Sequence, residues 1–207
     1  MMRPLITAVT ILVVIVGVVA VILKEPTPPA VTGTAPPPTS ATTGAPKDRF
    51  VAVDGADFAA VAPVDGNGQP ADMAPYRGKA LLVNLWATWC APCIEELPSL
   101  GKLQQQLGGD KFQVVTIAFQ ESDPKKIEPF LAAHGAGNLP ALIDVNSTVA
   151  KVAPVTALPA SLLVDRDGKV RAMLTGDARW HCGKALAAVQ AFIAAGTVSQ
   201  EALEACD

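Results

Sequence analysis

Runs of basic side chains are missing from this sequence. Only 16 of its 207 residues are lysine or arginine, and the formal net charge is −3. Proteins that bind nucleic acid use clustered lysine and arginine side chains to neutralise phosphates. The composition therefore excludes nucleic acid as a partner.

Histidine and cysteine are also scarce, with two and four residues respectively. Two of the cysteines, Cys90 and Cys93, have the spacing of a CxxC motif. The other sulfur and imidazole groups are Cys182, Cys206, His134 and His181. A structural zinc site needs four ligands, usually from a second close pair, and none of these groups is paired at such spacing. We therefore predict no metal site.

Charged residues are absent from the stretch Leu5 to Leu23. As an α-helix this stretch would span about 28 Å, close to the thickness of the hydrocarbon core of a bilayer. Residues 1–23 are therefore predicted to be a transmembrane signal anchor. A cleaved secretory signal is one alternative, although its apolar region would be shorter, and a buried core helix is another.

The predicted anchor also suggests where the rest of the chain lies. Arg3 favours a cytoplasmic N-terminus. We therefore expect a single-pass protein of the inner membrane, with its main domain in the periplasm or an equivalent extracytoplasmic space. Disulfides persist there, so pairs of cysteines are interpretable as redox or structural bridges.

Residues 24–49 are rich in proline, threonine and alanine and show no apolar periodicity. Such a composition cannot bury enough surface to fold, so we predict an extended linker. Residues 50–207 then form one functional domain of ordinary size.

Strands and helices alternate in the predicted domain. Apolar runs predict strands at 79–87, 112–119, 140–145, 161–165 and 169–174, and helical spacing predicts helices at 91–107, 123–134 and 179–195. A turn signal at 165–168 joins the last two strands in a hairpin. We therefore expect an α/β fold with a mixed central sheet and helices on both faces.

Cys90 follows the first long strand and directly precedes the helix predicted at 91–107. The unpaired N–H groups and the positive end of the dipole at a helix N-terminus stabilise a thiolate. Cys90 is therefore the predicted nucleophile, and Cys93 is the predicted resolving thiol that attacks Cys90 in a mixed disulfide. Half of a zinc site and a purely structural disulfide are the alternatives for this pair.

The stretch WATWCAPC followed by EELP resembles the active site of membrane-anchored thioredoxin-like proteins of the TlpA/ResA group. The similarity extends through RGKALLVNLWATWCAPC and FQVVTIAF to ALPASLLVDRDGKV and GDARW, and covers most of residues 50–195. The resemblance implies a thioredoxin-like fold, an extracytoplasmic domain and disulfide reductase activity that needs no bound cofactor. Members of the group serve cytochrome c maturation or the assembly of copper centres in oxidases.

The resemblance also implies a role for Glu96, which matches the acidic residue of the family pattern CxxC-x-x-E-x-P. Glu96 lies three residues after Cys93 and therefore on the same face of the helix. Partial burial would raise its pKa toward neutrality and suit it to exchange a proton with the thiol. A solvated glutamate is the alternative. Thioredoxin itself has a buried aspartate where this chain has Asn84, which cannot titrate.

Leu158-Pro159 matches the cis-proline of the family, which faces the first cysteine. The residues after this proline are usually threonine in the family, whereas here they are Ala160 and Ser161, so the resemblance does not define partner preference. The predicted catalytic residues are thus Cys90, Cys93, Glu96 and Pro159, and the predicted substrate-facing residues are Trp89, Ala91, Pro92 and Leu158.

The predicted function is the reduction of disulfides in extracytoplasmic proteins, followed by re-reduction through a membrane thiol:disulfide protein. A dithiol oxidase remains open, since the same motif runs in either direction according to its potential. A copper-binding chaperone on this fold would use the thiolates as Cu(I) ligands, but the absence of histidine from residues 146–158 disfavours it. A tethered interaction domain with an inactive disulfide is the last alternative.

Cys182 and Cys206 are not required by the family pattern. In an oxidising compartment we expect them to pair. Two free thiols, or an intermolecular link through Cys206, are the alternatives.

Overall fold

The structure is a computed structural model, and it describes residues 50–53 and 55–198. All of these residues belong to the second of two units of the chain, Thr43–Asp207. The predicted anchor and linker, residues 1–49, lie outside the described residues. Within the described part, no helix has both the length and the apolar character needed to cross a membrane.

Six strands of the described residues form one sheet in the order β1-β6-β5-β2-β3-β4. Their bounds are β1 Val51–Ala52, β2 Ala80–Trp86, β3 Phe112–Phe119, β4 Ala141–Asp144, β5 Ala160–Val164 and β6 Val170–Thr175. Strands β2, β3 and β4 are parallel, whereas β5 is antiparallel to both β2 and β6, and β1 is antiparallel to β6. The prediction of a mixed sheet is confirmed.

Three α-helices connect or follow these strands: α1 Ala91–Leu107, α2 Ile127–Ala133 and α3 Gly183–Ala195. The bounds predicted for α1 and β3 match those of the structure. Helix α2 is shorter than predicted because Pro124–Lys126 forms a 3-10 helix before it. Helix α3 begins four residues later than predicted. Gly183 has φ 58°, and Trp180 before it makes hydrogen bonds to Ser99 and Glu96 rather than bonds of a helical turn.

The two faces of the sheet carry separate apolar clusters. Along β2, Leu82 and Trp86 face one cluster, whereas Leu81, Val83 and Leu85 face the other, as expected from the two-residue period of a strand. The first cluster contains buried side chains from all three α-helices.

The second face is covered by loops and by short 3-10 helices, including Phe58–Ala60 and Thr148–Lys151. We predicted helices on both faces of the sheet, and on this face the helices are short 3-10 helices. The connection between β4 and β5 contains Pro154, which lacks an N–H group and disfavours helical backbone in the residue before it. A full α-helix is thus interrupted there.

Helix α1 is anchored by three leucines that are completely buried against the sheet, Leu97, Leu100 and Leu103. Burial of one such side chain stabilises a fold by roughly 1.5–3 kcal/mol. This packing fixes the start of α1 above the carboxyl end of β2. On the neighbouring strand, Ala160 of β5 lies opposite Leu85, so the segment that enters β5 reaches the same edge of the sheet.

Candidate active site

Cys90 and Cys93 are joined by a disulfide bond, and their Cα atoms are 5.3 Å apart. Cys90 is the N-cap residue of α1, and Cys93 lies in its first turn. The exposed fractions of the two residues are 6% and 0%. A thiol that approaches from outside therefore reaches the sulfur of Cys90 first.

The start of α1 favours a negative charge on Cys90 in the reduced protein. The first turn contains no acidic residue that would neutralise the positive end of the helix dipole. Pro92 lies among the first helical positions, where its missing N–H group has no intrahelical acceptor to lose. The remaining N–H groups of the first turn stabilise a thiolate at the N-cap.

The residues predicted to face a substrate are exposed or half-buried. Trp89 has 75% of its area exposed, which is unusual for so large an apolar side chain. Ala91 and Pro92 are exposed, and Leu158 is half-buried. Trp89, Ala91 and Pro92 thus place exposed apolar surface next to Cys90 in the chain, and the role of all four residues in facing a substrate remains a prediction. Trp86, by contrast, is fully buried in the core.

The peptide bond Leu158-Pro159 is cis, as the family resemblance implies. Pro159 is buried, and it directly precedes β5. The pairing of Ala160 with Leu85 brings Pro159 to the edge of the sheet at which β2 ends and the cysteine motif follows. Its catalytic role remains a prediction.

A contact that sequence reasoning missed holds the segment before the cysteines. Thr88 Oγ1 donates a hydrogen bond of 3.1 Å to Glu121 Oε2, in the loop after β3. The backbone N–H of Asp123 donates to the other oxygen, and this bond holds the pKa of Glu121 below its usual value. Glu121 thereby ties the loop after β3 to the residue before Trp89. In the sequence it stands in an ordinary polar loop, which gives no signal of this role.

Glu96 is buried, with 3% of its area exposed, so the alternative of a solvated glutamate is wrong. Its Oε1 atom accepts a hydrogen bond of 2.7 Å from Asn84 Nδ2. Its Oε2 atom accepts two bonds of 3.1 Å, from the backbone N–H of Ala178 and from the indole Nε1 of Trp180. The carboxyl group is thus held by β2 on one side and by the loop between β6 and α3 on the other.

Burial raises the pKa of Glu96 to about 7. The loss of hydration disfavours the charged form, and the charge of Asp177 acts in the same direction, whereas the three hydrogen bonds favour the carboxylate. The desolvation effect is the largest of these. Near neutral pH, Glu96 therefore both accepts and releases protons, as a partner for a thiol requires.

Further buried polar groups complete the surroundings of Glu96. Asn84 Nδ2 also donates to Ser161 Oγ at 3.0 Å, and these two residues lie opposite each other on β2 and β5. The backbone N–H of Trp180 donates to Ser99 Oγ on α1. Sequence reasoning did not predict Ser161, Ser99 or Trp180 as site residues. A polar residue at an inward-facing position of a buried strand is the one signal that could have identified Ser161.

A mixed sheet, a CxxC disulfide at a helix N-terminus and a cis-proline at the adjoining strand define this chain as a thioredoxin-like protein. Residues 43–190 match the Redoxin family, and the chain belongs to that family.

Among characterised proteins, it is 29% identical over 112 residues to the thiol-disulfide oxidoreductase ResA of Bacillus subtilis, a match that covers 54% of this chain and 62% of ResA. It is 34% identical over 113 residues to ResA of Geobacillus thermodenitrificans, covering 54% of this chain and 63% of that protein. The matched regions thus span less than two thirds of these relatives.

A solved structure from Chlorobium tepidum, assigned as a thiol:disulfide interchange protein DsbE, is also similar. Its TM-score is 0.56 at 25% identity, and the match covers 69% of this chain and 97% of that one. This similarity supports the thioredoxin-like fold.

Cys182 is the N-cap residue of α3, and Cys206 lies outside the described residues, so their pairing remains a prediction. We expect proteolysis of the unreduced protein to yield a peptide in which these two cysteines are joined. Closing the loop from 182 to 206 would stabilise the domain by about 3 kcal/mol through the chain entropy that the bridge removes. Mass spectrometry that finds both cysteines as alkylated free thiols would contradict the pairing.

Proposed function

We propose that this protein is an extracytoplasmic thiol:disulfide oxidoreductase that reduces disulfide bonds in partner proteins. The observation that carries the proposal is the position of the Cys90-Cys93 pair at the start of α1, with Glu96 buried further along the same helix. The names of the ResA relatives support the reaction type.

In the first step of the proposed reaction, the Cys90 thiolate attacks one sulfur of a partner disulfide. A bond forms between that sulfur and Cys90, the partner disulfide breaks, and its second sulfur leaves as a thiolate. The apolar side chains of Trp89, Ala91, Pro92 and Leu158 are where the partner chain would lie. The buried Pro159 would border the same contact.

In the second step, Cys93 resolves the mixed disulfide. The Cys93 thiol gives its proton to the Glu96 carboxylate, and the resulting thiolate attacks the sulfur of Cys90. The Cys90-Cys93 bond forms, and the partner leaves as a thiolate that takes up a proton. Two electrons have then passed from this protein to the partner.

We infer the cellular setting from the sequence and the family resemblance. Residues 1–23 would anchor the protein in the inner membrane, and residues 24–49 would tether the domain outside the cytoplasm. A membrane thiol:disulfide protein would return Cys90 and Cys93 to the dithiol form. Cytochrome c maturation and the assembly of oxidase copper centres are the proposed uses of the activity.

The reduction potential of the Cys90-Cys93 pair tests the direction of electron flow. For a reductase we expect a value near that of thioredoxin, about −270 mV, whereas a strong oxidant such as DsbA has about −120 mV. The protein would be equilibrated in glutathione buffers, and the peptide that carries both cysteines would be quantified by mass spectrometry, so that Cys182 does not contribute. A potential near −120 mV would assign the protein as a dithiol oxidase instead.

A further inference from the structure

The buried amide group of Asn84 has partners at only one of its two ends. Its Nδ2 atom donates to Glu96 Oε1 and to Ser161 Oγ, at 2.7 and 3.0 Å. Its Oδ1 atom is buried and has no hydrogen-bond partner among residues 50–53 and 55–198. The residue itself has no exposed area. An unpaired buried carbonyl is costly, so this arrangement calls for a physical reason.

The two oxygens of Glu96 differ in where they can carry a proton. Oε2 faces the backbone N–H of Ala178 and the indole N–H of Trp180, and both of these groups can only donate. A proton on Oε2 would point at one of these hydrogens. Oε1 has Asn84 as its hydrogen-bond partner, so the proton of the neutral carboxyl belongs on Oε1.

A proton on Oε1 is compatible with Asn84 once the amide turns by half a rotation. The rotation exchanges Nδ2 with Oδ1, which has nearly the same shape. Oδ1 would then accept from the hydroxyl of the neutral carboxyl and from the hydroxyl of Ser161, which can donate as well as accept. Since Oδ1 has no partner among the described residues in the starting orientation, the rotation breaks no bond at that end. After the rotation, the N–H groups of Nδ2 are the unpaired groups there, so each state has one unpaired end and two hydrogen bonds at the other.

We propose that Asn84 is a positioning residue whose side-chain amide reverses each time Glu96 gains or loses its proton. Two hydrogen bonds join Asn84 to Glu96 and Ser161 in both states, so the proton taken from Cys93 is stored without the loss of a bond. The use of the stored proton rests on the proposed reductase function. The reversal itself is a property of the oxidised protein and does not require turnover.

The groups that face Glu96 allow this titration to be isolated. From β2 and β5 the polar contacts are Asn84 and Ser161, which do not titrate in this range. The loop between β6 and α3 contributes Trp180, which is neutral, and Asp177, whose charge raises the pKa of Glu96. It also contains His181, whose pKa burial lowers and which is not among the groups that shift the pKa of Glu96. On α1 the titratable residues close to Glu96 in the chain are Glu95, which is exposed, and Cys93, which is held in the disulfide. In the oxidised protein, a transition at Asn84 is assigned to Glu96 when its midpoint matches that of the Glu96 carboxyl carbon and differs from that of the His181 ring.

Nuclear magnetic resonance of the oxidised protein tests the proposal. At pH 9 we expect nuclear Overhauser contacts between the Asn84 amide protons and the β-protons of Ser161. At pH 5 these contacts should be lost, and the midpoint of the change should coincide with that of the Glu96 carboxyl carbon. An amide orientation that is the same at both pH values, while Glu96 titrates, would overturn the proposal.

The variant Glu96→Gln provides the matched control. The glutamine amide places a permanent donor at the position of Oε1, so Asn84 should keep the pH 5 orientation throughout the titration. A pH-dependent reversal in this variant would also overturn the proposal, because no proton is gained at position 96. If the variant does not fold, the wild-type titration still decides the question. A separate assay of disulfide reduction tests the proposed function. If the amide reverses but the protein does not reduce disulfides, the proposed reductase function is contradicted and the reversal of Asn84 stands.

Discussion

Replacing Cys93 with alanine should abolish turnover and leave Cys90 attached to partner proteins as stable mixed disulfides. Cys93 lies in the first turn of α1 with no exposed area, so in the proposed reaction it would attack Cys90 from within the protein. A well-oriented internal thiol acts at an effective concentration far above the millimolar level of external thiols, and its loss should slow partner release by about 10³-fold or more. Non-reducing gels of cells that express the variant would reveal the adducts.

The Cys90→Ala variant is the control for this experiment, since it retains the buried cysteine but lacks the accessible one. It should form no adducts. Partners recovered from the Cys93→Ala variant should carry CxxC motifs or other close cysteine pairs, because the proposed substrates are disulfides. A well-expressed Cys93→Ala variant without any adduct would remove the main support for the proposed reductase.

The parts of the fold that the sequence predicted well are those in which local pattern and burial agree. Helix α1 has apolar residues at helical spacing, and three of them, Leu97, Leu100 and Leu103, are fully buried in the core. The start of α3 could not be predicted in this way. Residues 179–182 look helical in sequence, but Trp180 uses its backbone and indole N–H groups to bind Ser99 and Glu96. Contacts between residues more than 80 positions apart override a local preference.

The same distinction applies to the site. The CxxC spacing and the position before a helix predicted the Cys90-Cys93 pair, which the structure joins in a disulfide. The family pattern singled out Glu96, which is buried, and the catalytic roles of these residues remain predictions. For Asn84, the sequence indicated only that the side chain cannot titrate. Its bond to Ser161 depends on the register of β2 against β5, and the order of strands in a sheet is not encoded in either strand alone.

Replacing Glu96 with glutamine should remove a pH dependence of stability from the oxidised protein. The pKa of Glu96 is about 7 in the folded protein, against an ordinary value of 4.5. Between these pH values the unfolded chain has released the proton and the folded chain keeps it. Wild-type stability therefore falls as pH rises from 4.5 to 7, by about 3 kcal/mol in the free energy of unfolding. The variant stays neutral and should lack this decrease.

Urea unfolding at a series of pH values, with the disulfide intact, measures the effect as the difference between wild type and variant. That difference isolates Glu96 from other titrating groups such as His181. The variant Glu95→Gln is the matched control, because Glu95 is adjacent and exposed, and it should keep the wild-type slope. A Glu96→Gln variant that also keeps this slope would mean that Glu96 is ionised throughout this range in the folded protein. The carboxyl group would then be too weak a base to take the proton of Cys93, and the second step of the proposed reaction would need another acceptor.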